Sequence, residues 1–273
     1  MTRVFITVKT YPSLSKSYTE LVCTAGFLED GSMVRVYPVP YRFLSDYQKY
    51  KKYQWIDIDL KKRKQDFRPE SFSPVDISKG FKLGEIVGPD NWAERRRIVL
   101  RNVYTDLSTL IEDAKDSVKH TSLAVLKPRE IIDFHWEPVE RVWDKNILDI
   151  INARAQQDTL FGKNIYADFK VVKKLPYRFK YKFTTDDGII RDLMIEDWEV
   201  GTLYWNCLSK YSSEEEACKK VKMKYFDDFK NRDLYFYLGT TLERHNTSKN
   251  PFMIIGAFYP PKLENISSEP TLF

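Results

Sequence analysis

Tyr177 to Phe183, Y-R-F-K-Y-K-F, alternates aromatic and cationic side chains without a break. Side chains of a β-strand point to opposite faces with period two, whereas a helix would scatter both sets around its circumference. The stretch therefore reads as a strand. Tyr177, Phe179, Tyr181 and Phe183 take one face, and Arg178, Lys180 and Lys182 take the other. Asp186-Asp187-Gly188 is a turn signal, and Ile189 to Ile195 returns as a second strand. Symmetric closure predicts Phe183 opposite Ile189, Phe179 opposite Leu193 and Tyr177 opposite Ile195, with Lys180 paired to Asp192 across the ladder.

Other strands are expected at Val4 to Thr10, Tyr18 to Phe27, Met33 to Val39 and Tyr53 to Leu60, and further on at Leu123 to Leu126, Glu130 to Trp136, Asp233 to Leu238 and Phe252 to Phe258. Helices are expected from Asn91 to Tyr104 behind an Asp90 cap, from Leu107 to Val118, from Trp143 to Ala155 and from Trp198 to Leu208. Ser212-Ser213-Glu214-Glu215-Glu216 is a capping signal that opens one more helix, through Phe226. Residues 65–90 read as loop. These patterns predict an α+β protein of two β-rich parts: an N-terminal curled sheet or partial barrel and a C-terminal antiparallel sheet, with helices between. The polar stretch 156–163 is the expected linker between residues 1–155 and 164–262.

Hydrophobic content of 42% with 30% charged residues excludes a disordered chain, and 273 residues suffice for a full core. No apolar run approaches the ~20 residues of a membrane helix. Three cysteines with no C-x-x-C pair fit a reducing cytosol rather than a disulfide framework, and three histidines make a zinc site of the usual Cys/His kind unexpected. The N-terminus lacks the pattern of a signal peptide. There is no G-x-G-x-x-G and no P-loop, so no nucleotide cofactor is expected.

Charge is patchy. Residues 1–64 hold twelve Lys/Arg against six Asp/Glu, and residues 161–182 hold seven against one. Aromatic content is high, at 15%. Cations interleaved with aromatics can grip phosphates and stack bases, so nucleic-acid binding, to DNA or RNA, is the leading functional expectation. Its candidate residues are Arg42, Lys61, Lys62, Arg63 and Lys64, then Arg95, Arg96 and Arg97, and then Lys173, Lys174, Arg178, Lys180 and Lys182. Each group has a plain alternative in a solvated strand face or an ion-paired surface.

A metal-dependent nuclease is the second expectation. Asp59-Leu60-Lys61 resembles the second half of the PD-(D/E)xK nuclease motif, in which two carboxylates hold a divalent metal and the lysine helps activate water. Asp57 or Asp46 would be the upstream acid, although the motif's proline is absent beside either. Glu196 and Asp197, at a strand-to-helix junction, could hold Mg²⁺ or simply cap the helix. Mg²⁺ enters only with this alternative. His120, His135 and His245 lie in unlike contexts.

A protein–protein module is the third. Gln157-Asp158-Thr159-Leu160-Phe161 resembles the sliding-clamp-binding pentapeptide of bacterial replication and repair proteins, with Gln157 first and Leu160-Phe161 last. Position two departs from the usual leucine. That resemblance implies a clamp as partner.

Overall fold

The computed structural model describes residues 1–15, 19–76, 81–160 and 171–263. The chain is α+β. Strands β1 (Thr2–Lys9), β2 (Ser13–Ser15), β3 (Thr19–Leu28), β4 (Met33–Val39), β5 (Gln54–Ile58), β6 (Leu60–Lys62), β7 (Ser71–Pro74) and β8 (Lys82–Ile86) form one curled sheet of order β6-β7-β4-β3-β1-β5-β8, with β2 paired to β3. β7 and β8 fall in the stretch expected to be loop.

Helices α1 (Trp92–Val99) and α2 (Leu107–Lys115) flank β9 (Val103–Tyr104). α1 starts one residue later than expected, because the Asn91 side chain itself accepts the Glu94 N–H at 3.2 Å. β10 (Leu123–Leu126), β14 (Tyr235–Thr240) and β15 (Phe252–Phe258) join β9 in a four-stranded sheet of order β15-β14-β10-β9. Its β9–β10 pair is parallel, and β9 lies where the sequence predicted the end of a helix. β11 (Glu130–Pro138), β12 (Tyr177–Thr184) and β13 (Ile190–Met194) make a third, antiparallel sheet. Helices α3 (Lys145–Leu160), α4 (Trp198–Tyr211) and α5 (Glu214–Lys222) complete the chain, α5 running on as a π-helical turn over Met223–Asp228.

The four-stranded sheet is the middle layer. Leu123, Val125, Tyr237, Ile255 and Phe258 pack toward the curled sheet, against Phe5, Val8, Phe27 and Trp55. Ala124, Leu126, Phe236, Leu238, Ile254 and Ala257 face the other way, against β12, α4 and α5. A sheet covered on both faces needs continuous apolar strands rather than alternating ones, which is how Leu123 to Leu126 and Phe252 to Phe258 read.

β10 and β11 precede the linker expected at 156–163, yet they hydrogen-bond to strands that follow it, and β9 joins the same sheet through β10. The sheets therefore divide between β8 and β9, and α3 runs unbroken through Leu160.

β12 is a strand as its alternation requires. Phe179, Tyr181 and Phe183 are fully buried, while Arg178 and Lys182 are exposed. Its pairing with β13 is displaced by one pair from symmetric closure: Tyr181 lies opposite Leu193, Phe183 opposite Arg191 and Lys182 opposite Asp192. The cause is the turn. Asp187 Oδ1 accepts from Thr185 Oγ1 at 2.7 Å and from Ile189 N at 3.0 Å, drawing Ile189 out of the ladder. Asp192 still reaches Lys180 diagonally, at 3.0 Å.

Phe179→Ala should cost about 3–5 kcal/mol in chemical denaturation, because a buried ring leaves a cavity. Lys182→Glu breaks no ion pair, although it stands opposite Asp192 and Asp133, and should cost about 0.2–1 kcal/mol. Lys180→Glu should lose more than Lys182→Glu, since it would face Asp192 and Glu137 with like charge. Equal losses for the two lysine variants would contradict the diagonal pairing.

Candidate nucleic-acid interface

Most cations singled out in the sequence are already engaged within the fold. Arg95 is buried, donates twice to Val87 O at 3.2 and 2.8 Å, and lies 3.9 Å over the Tyr53 ring. Arg96 pairs with Asp233 at 2.7 Å, and Arg97 with Glu94 at 2.6 Å. Arg178 and Lys180 pair with Glu137 and Asp192. Lys62 donates to Arg68 O and Pro69 O at 2.6 and 2.7 Å, and Arg63 to Tyr37 O at 3.1 Å. Arg42 pairs with buried Glu20 at 2.6 Å. Lys174 donates to Val142 O at 3.0 Å, and Lys173 lies 5.3 Å from the Trp205 ring. Only Lys61, Lys64, Lys173 and Lys182 of that set are exposed with side chains that make neither ion pair nor hydrogen bond among the described residues.

The acids do not gather. Asp59 pairs with the N-terminal ammonium at 3.2 Å, Asp57 lies opposite Arg3 and Lys82 in the curled sheet, and Asp197 caps α4 through Glu199 N at 3.0 Å. Among the described residues, no three His, Cys, Asp or Glu come together to hold a metal. His245 is fully buried and satisfied, by Thr240 Oγ1 and Ala114 O, each at 2.8 Å. His135 reaches Asp192 at 3.5 Å, and the His120 ring sits 5.0 Å from that of Phe67. Gln157 and Leu160 lie in the last part of α3, and Phe161 lies outside the described residues.

Helix α4 brings together a different set. Asp197 caps its start, and Ser212 ends it in the left-handed conformation at φ 54°. Gly201 sits inside it despite the ~1 kcal/mol that a helical glycine costs. A Cβ there would fall 2.2 Å from Tyr11 Cδ2, so the glycine lets Tyr11 lie against the helix. Tyr11 O–H donates to Lys173 O and accepts from Trp205 Nε1, both at 2.8 Å.

One cavity of about 390 Å³ lies on that side of α4, walled by Tyr11, Arg42, Lys173, Trp198, Thr202, Trp205 and Asn206. A second, of about 460 Å³, lies on the other side. Glu199, Leu203, Asn206 and Lys210 of α4 line it, with Tyr211, Lys220, Lys224, Phe229 and Tyr259 opposite. Both volumes fall in the ligand-pocket range of roughly 300–1,000 Å³, and exposed Asn206 belongs to both.

At the rim of the larger cavity the Tyr211 ring is 41% exposed, with Lys210 Nζ 5.3 Å and Lys220 Nζ 5.5 Å from its centroid. Neither lysine makes an ion pair among the described residues. These two lysines escaped the sequence reading because they are ten residues apart, on different helices. The αL stop at Ser212 and the Ser213 cap, which turn the chain back between them, were the signal available.

The start of α4 carries buried charge. Lys52 Nζ sits 2.7 Å from Glu199 Oε2 and 4.0 Å from Asp197 Oδ2, which accepts no hydrogen bond among the described residues. Burial pushes the Asp197 carboxyl up to about 6, against the pull of Lys52 and with the help of Glu199. Burial likewise lowers Lys9 to about 8, where its ammonium donates to Tyr41 O–H at 3.1 Å. Burial works against ionisation of Glu199 too, but Lys52 outweighs it and holds that carboxyl below its usual range.

Two family models match the chain. One, described as Domain of unknown function (DUF8758), matches residues 1–101, and the other, described as Domain of unknown function (DUF8757), matches residues 104–272. The break between them coincides with the division between β8 and β9. No curated protein matches the chain. Among the described residues no helix is long and apolar enough to cross a membrane.

A carboxyl whose pKa is higher folded than unfolded binds more protons in the folded state. Asp197 therefore carries no penalty below about pH 4, and an increasing one as pH rises through about 6. Asp197→Asn should shift Tm relative to the wild type in the variant's favour as pH goes from 4 to 7, then level off. A difference that moves the other way would mean that Lys52, not burial, governs this carboxylate.

Proposed function

We propose that this chain, which belongs to the family described as Domain of unknown function (DUF8757), binds single-stranded DNA or RNA along helix α4. The observation that carries the reading is the half-exposed Tyr211 ring flanked by Lys210 and Lys220 at the rim of a 460 Å³ cavity. An aromatic face stacks a base of any sequence, and ammonium groups beside it neutralise the phosphates on either side. Trp205 with Lys173 repeats the combination across the helix, so the strand has a second place to continue.

The cationic face of β12 supports binding less well. Stripping Arg178 and Lys180 from Glu137 and Asp192 would leave those carboxylates facing phosphate. Lys61 and Lys64, exposed at the far edge of the curled sheet, are available for non-specific contact. A cytosolic setting goes with this reading, and the three free thiols Cys23, Cys207 and Cys218 suit a reducing compartment.

Fluorescence anisotropy with a labelled single-stranded oligonucleotide tests it. Tyr211→Ala should lose about 1–3 kcal/mol of binding, the usual worth of one stacked base. Lys210→Ala with Lys220→Ala should weaken binding and flatten the salt dependence by roughly 0.7 in log–log slope per lysine. Arg178→Ala with Lys180→Ala should leave binding where it was. Unchanged affinity and slope in the first two variants, at unchanged Tm, would remove nucleic acid from this helix.

A further inference from the structure

Tyr211 and Glu199 lie at opposite ends of the same cavity, twelve residues apart on α4. At about 1.5 Å per residue that is roughly 18 Å, too far for one base to touch both. The two ends therefore meet different nucleotides, and their chemistry differs. The Tyr211 end offers a ring and two ammonium groups, which carry no information about base identity. The Glu199 end offers a carboxylate beside Tyr259, whose ring stacks on Phe229 at 4.1 Å and 22°.

Glu199 is built for one job. Its side chain is 45% exposed, so it reaches the cavity. Lys52, 14% exposed behind it, holds Oε2 at 2.7 Å and is itself anchored toward Ala257 O at 3.4 Å. Oε1 accepts no hydrogen bond among the described residues. An ionised carboxylate only accepts, at two oxygens side by side. It is matched by a base edge presenting two adjacent donors. Guanine has N1–H beside its N2 amino group. Adenine and cytosine each set one amino group next to a ring-nitrogen lone pair, and uracil or thymine sets one N–H between two carbonyls. In each of those three a lone pair would face the carboxylate. Asn206, exposed about 10 Å further along the helix at ~1.5 Å per residue, lines the same wall with an amide that makes no hydrogen bond of its own among the described residues.

Resting on the nucleic-acid reading of this cavity, we propose that its Glu199 end selects guanine, with N1–H and N2–H donating to the two carboxylate oxygens while the base lies against Tyr259. Tyr211 and its lysines then supply affinity for the strand, and Glu199 supplies the preference.

The test uses the full chain and four ten-residue oligothymidylates. One is unsubstituted, and the other three carry a single central guanine, hypoxanthine or adenine. Hypoxanthine is guanine without the N2 amino group. The guanine oligonucleotide should bind more tightly than the unsubstituted one, by roughly 5- to 150-fold if both hydrogen bonds form well, and hypoxanthine and adenine should lose most of that gain. Glu199→Gln should abolish the preference, so that the guanine oligonucleotide binds no more tightly than the unsubstituted one. Guanine and hypoxanthine binding alike in the wild type would overturn the assignment, as would a preference that survives Glu199→Gln. Because Glu199→Gln also takes a partner from Lys52, its Tm is measured alongside. If that variant unfolds, the wild-type comparison of guanine with hypoxanthine decides alone. Tight binding of all four without preference rejects guanine selection and leaves strand binding standing, whereas no binding of any rejects both.

Discussion

The Arg35 guanidinium joins the two halves of the chain. It is fully buried on β4, where Nη1 donates to Ser71 Oγ at 3.0 Å and Ser122 Oγ at 2.9 Å, and Nη2 to Ser122 O at 3.1 Å and Thr240 O at 3.3 Å. Ser71 belongs to the curled sheet, and Ser122 and Thr240 lie at the ends of the middle one. Arg68 repeats the arrangement, forked onto Asp66 and donating to Thr240 O at 2.6 Å. Glu70 closes it from below by accepting from Ser122 N at 3.0 Å and Ser122 Oγ at 2.8 Å. Burial disfavours the charge on Arg35, so the guanidinium tolerates this place only with its donors satisfied. Removing one partner from such a network generally costs about 3–5 kcal/mol, because the remaining charge stays buried. Two sheets held at one fixed spacing are the result.

With that spacing fixed, the middle sheet is covered on both faces and α4 is placed. Thr10, just past β1, forms a bridge with Asp197, and Tyr11 N donates to Glu196 O at 3.4 Å. The start of α4 is thus attached to the N-terminal half, while its body packs Val200, Tyr204 and Cys207 into the C-terminal core. Lys52, carried by the N-terminal half, reaches Glu199 of the C-terminal half only because of this docking. The smaller cavity along the helix takes its walls from both halves, whereas every residue that lines the larger one belongs to the C-terminal half.

Charge in this molecule is spent mostly on holding backbone and neighbouring acids. Arg95, Arg96, Lys62 and Arg63 each donate to main-chain carbonyls. Buried or half-buried carbonyls need donors, and long cationic side chains reach them while shielding apolar surface. A cluster of basic residues in the sequence therefore carries less functional weight here than two lysines isolated beside one exposed ring.

Local pattern alone determined a good deal. The period-two alternation of β12, the continuous apolar runs of β10 and β15, and the Ser213 cap of α5 were all legible, because each is a rule about neighbours in the chain. So was the α+β class. The hairpin register was not, since it turned on Asp187 binding two groups around its own turn as well as Ser108 and Arg191. Nor was the site. Whether a cation is free depends on which carboxylates and carbonyls the fold brings within about 3 Å. Arg178 finds Glu137 from 41 residues away, and Arg96 finds Asp233 from 137 away. Lys210, Tyr211 and Lys220 met only because Ser212 takes a left-handed turn between two helices. Sequence sets the periodicity that sends a side chain to one face or the other, whereas long-range packing decides what waits for it there.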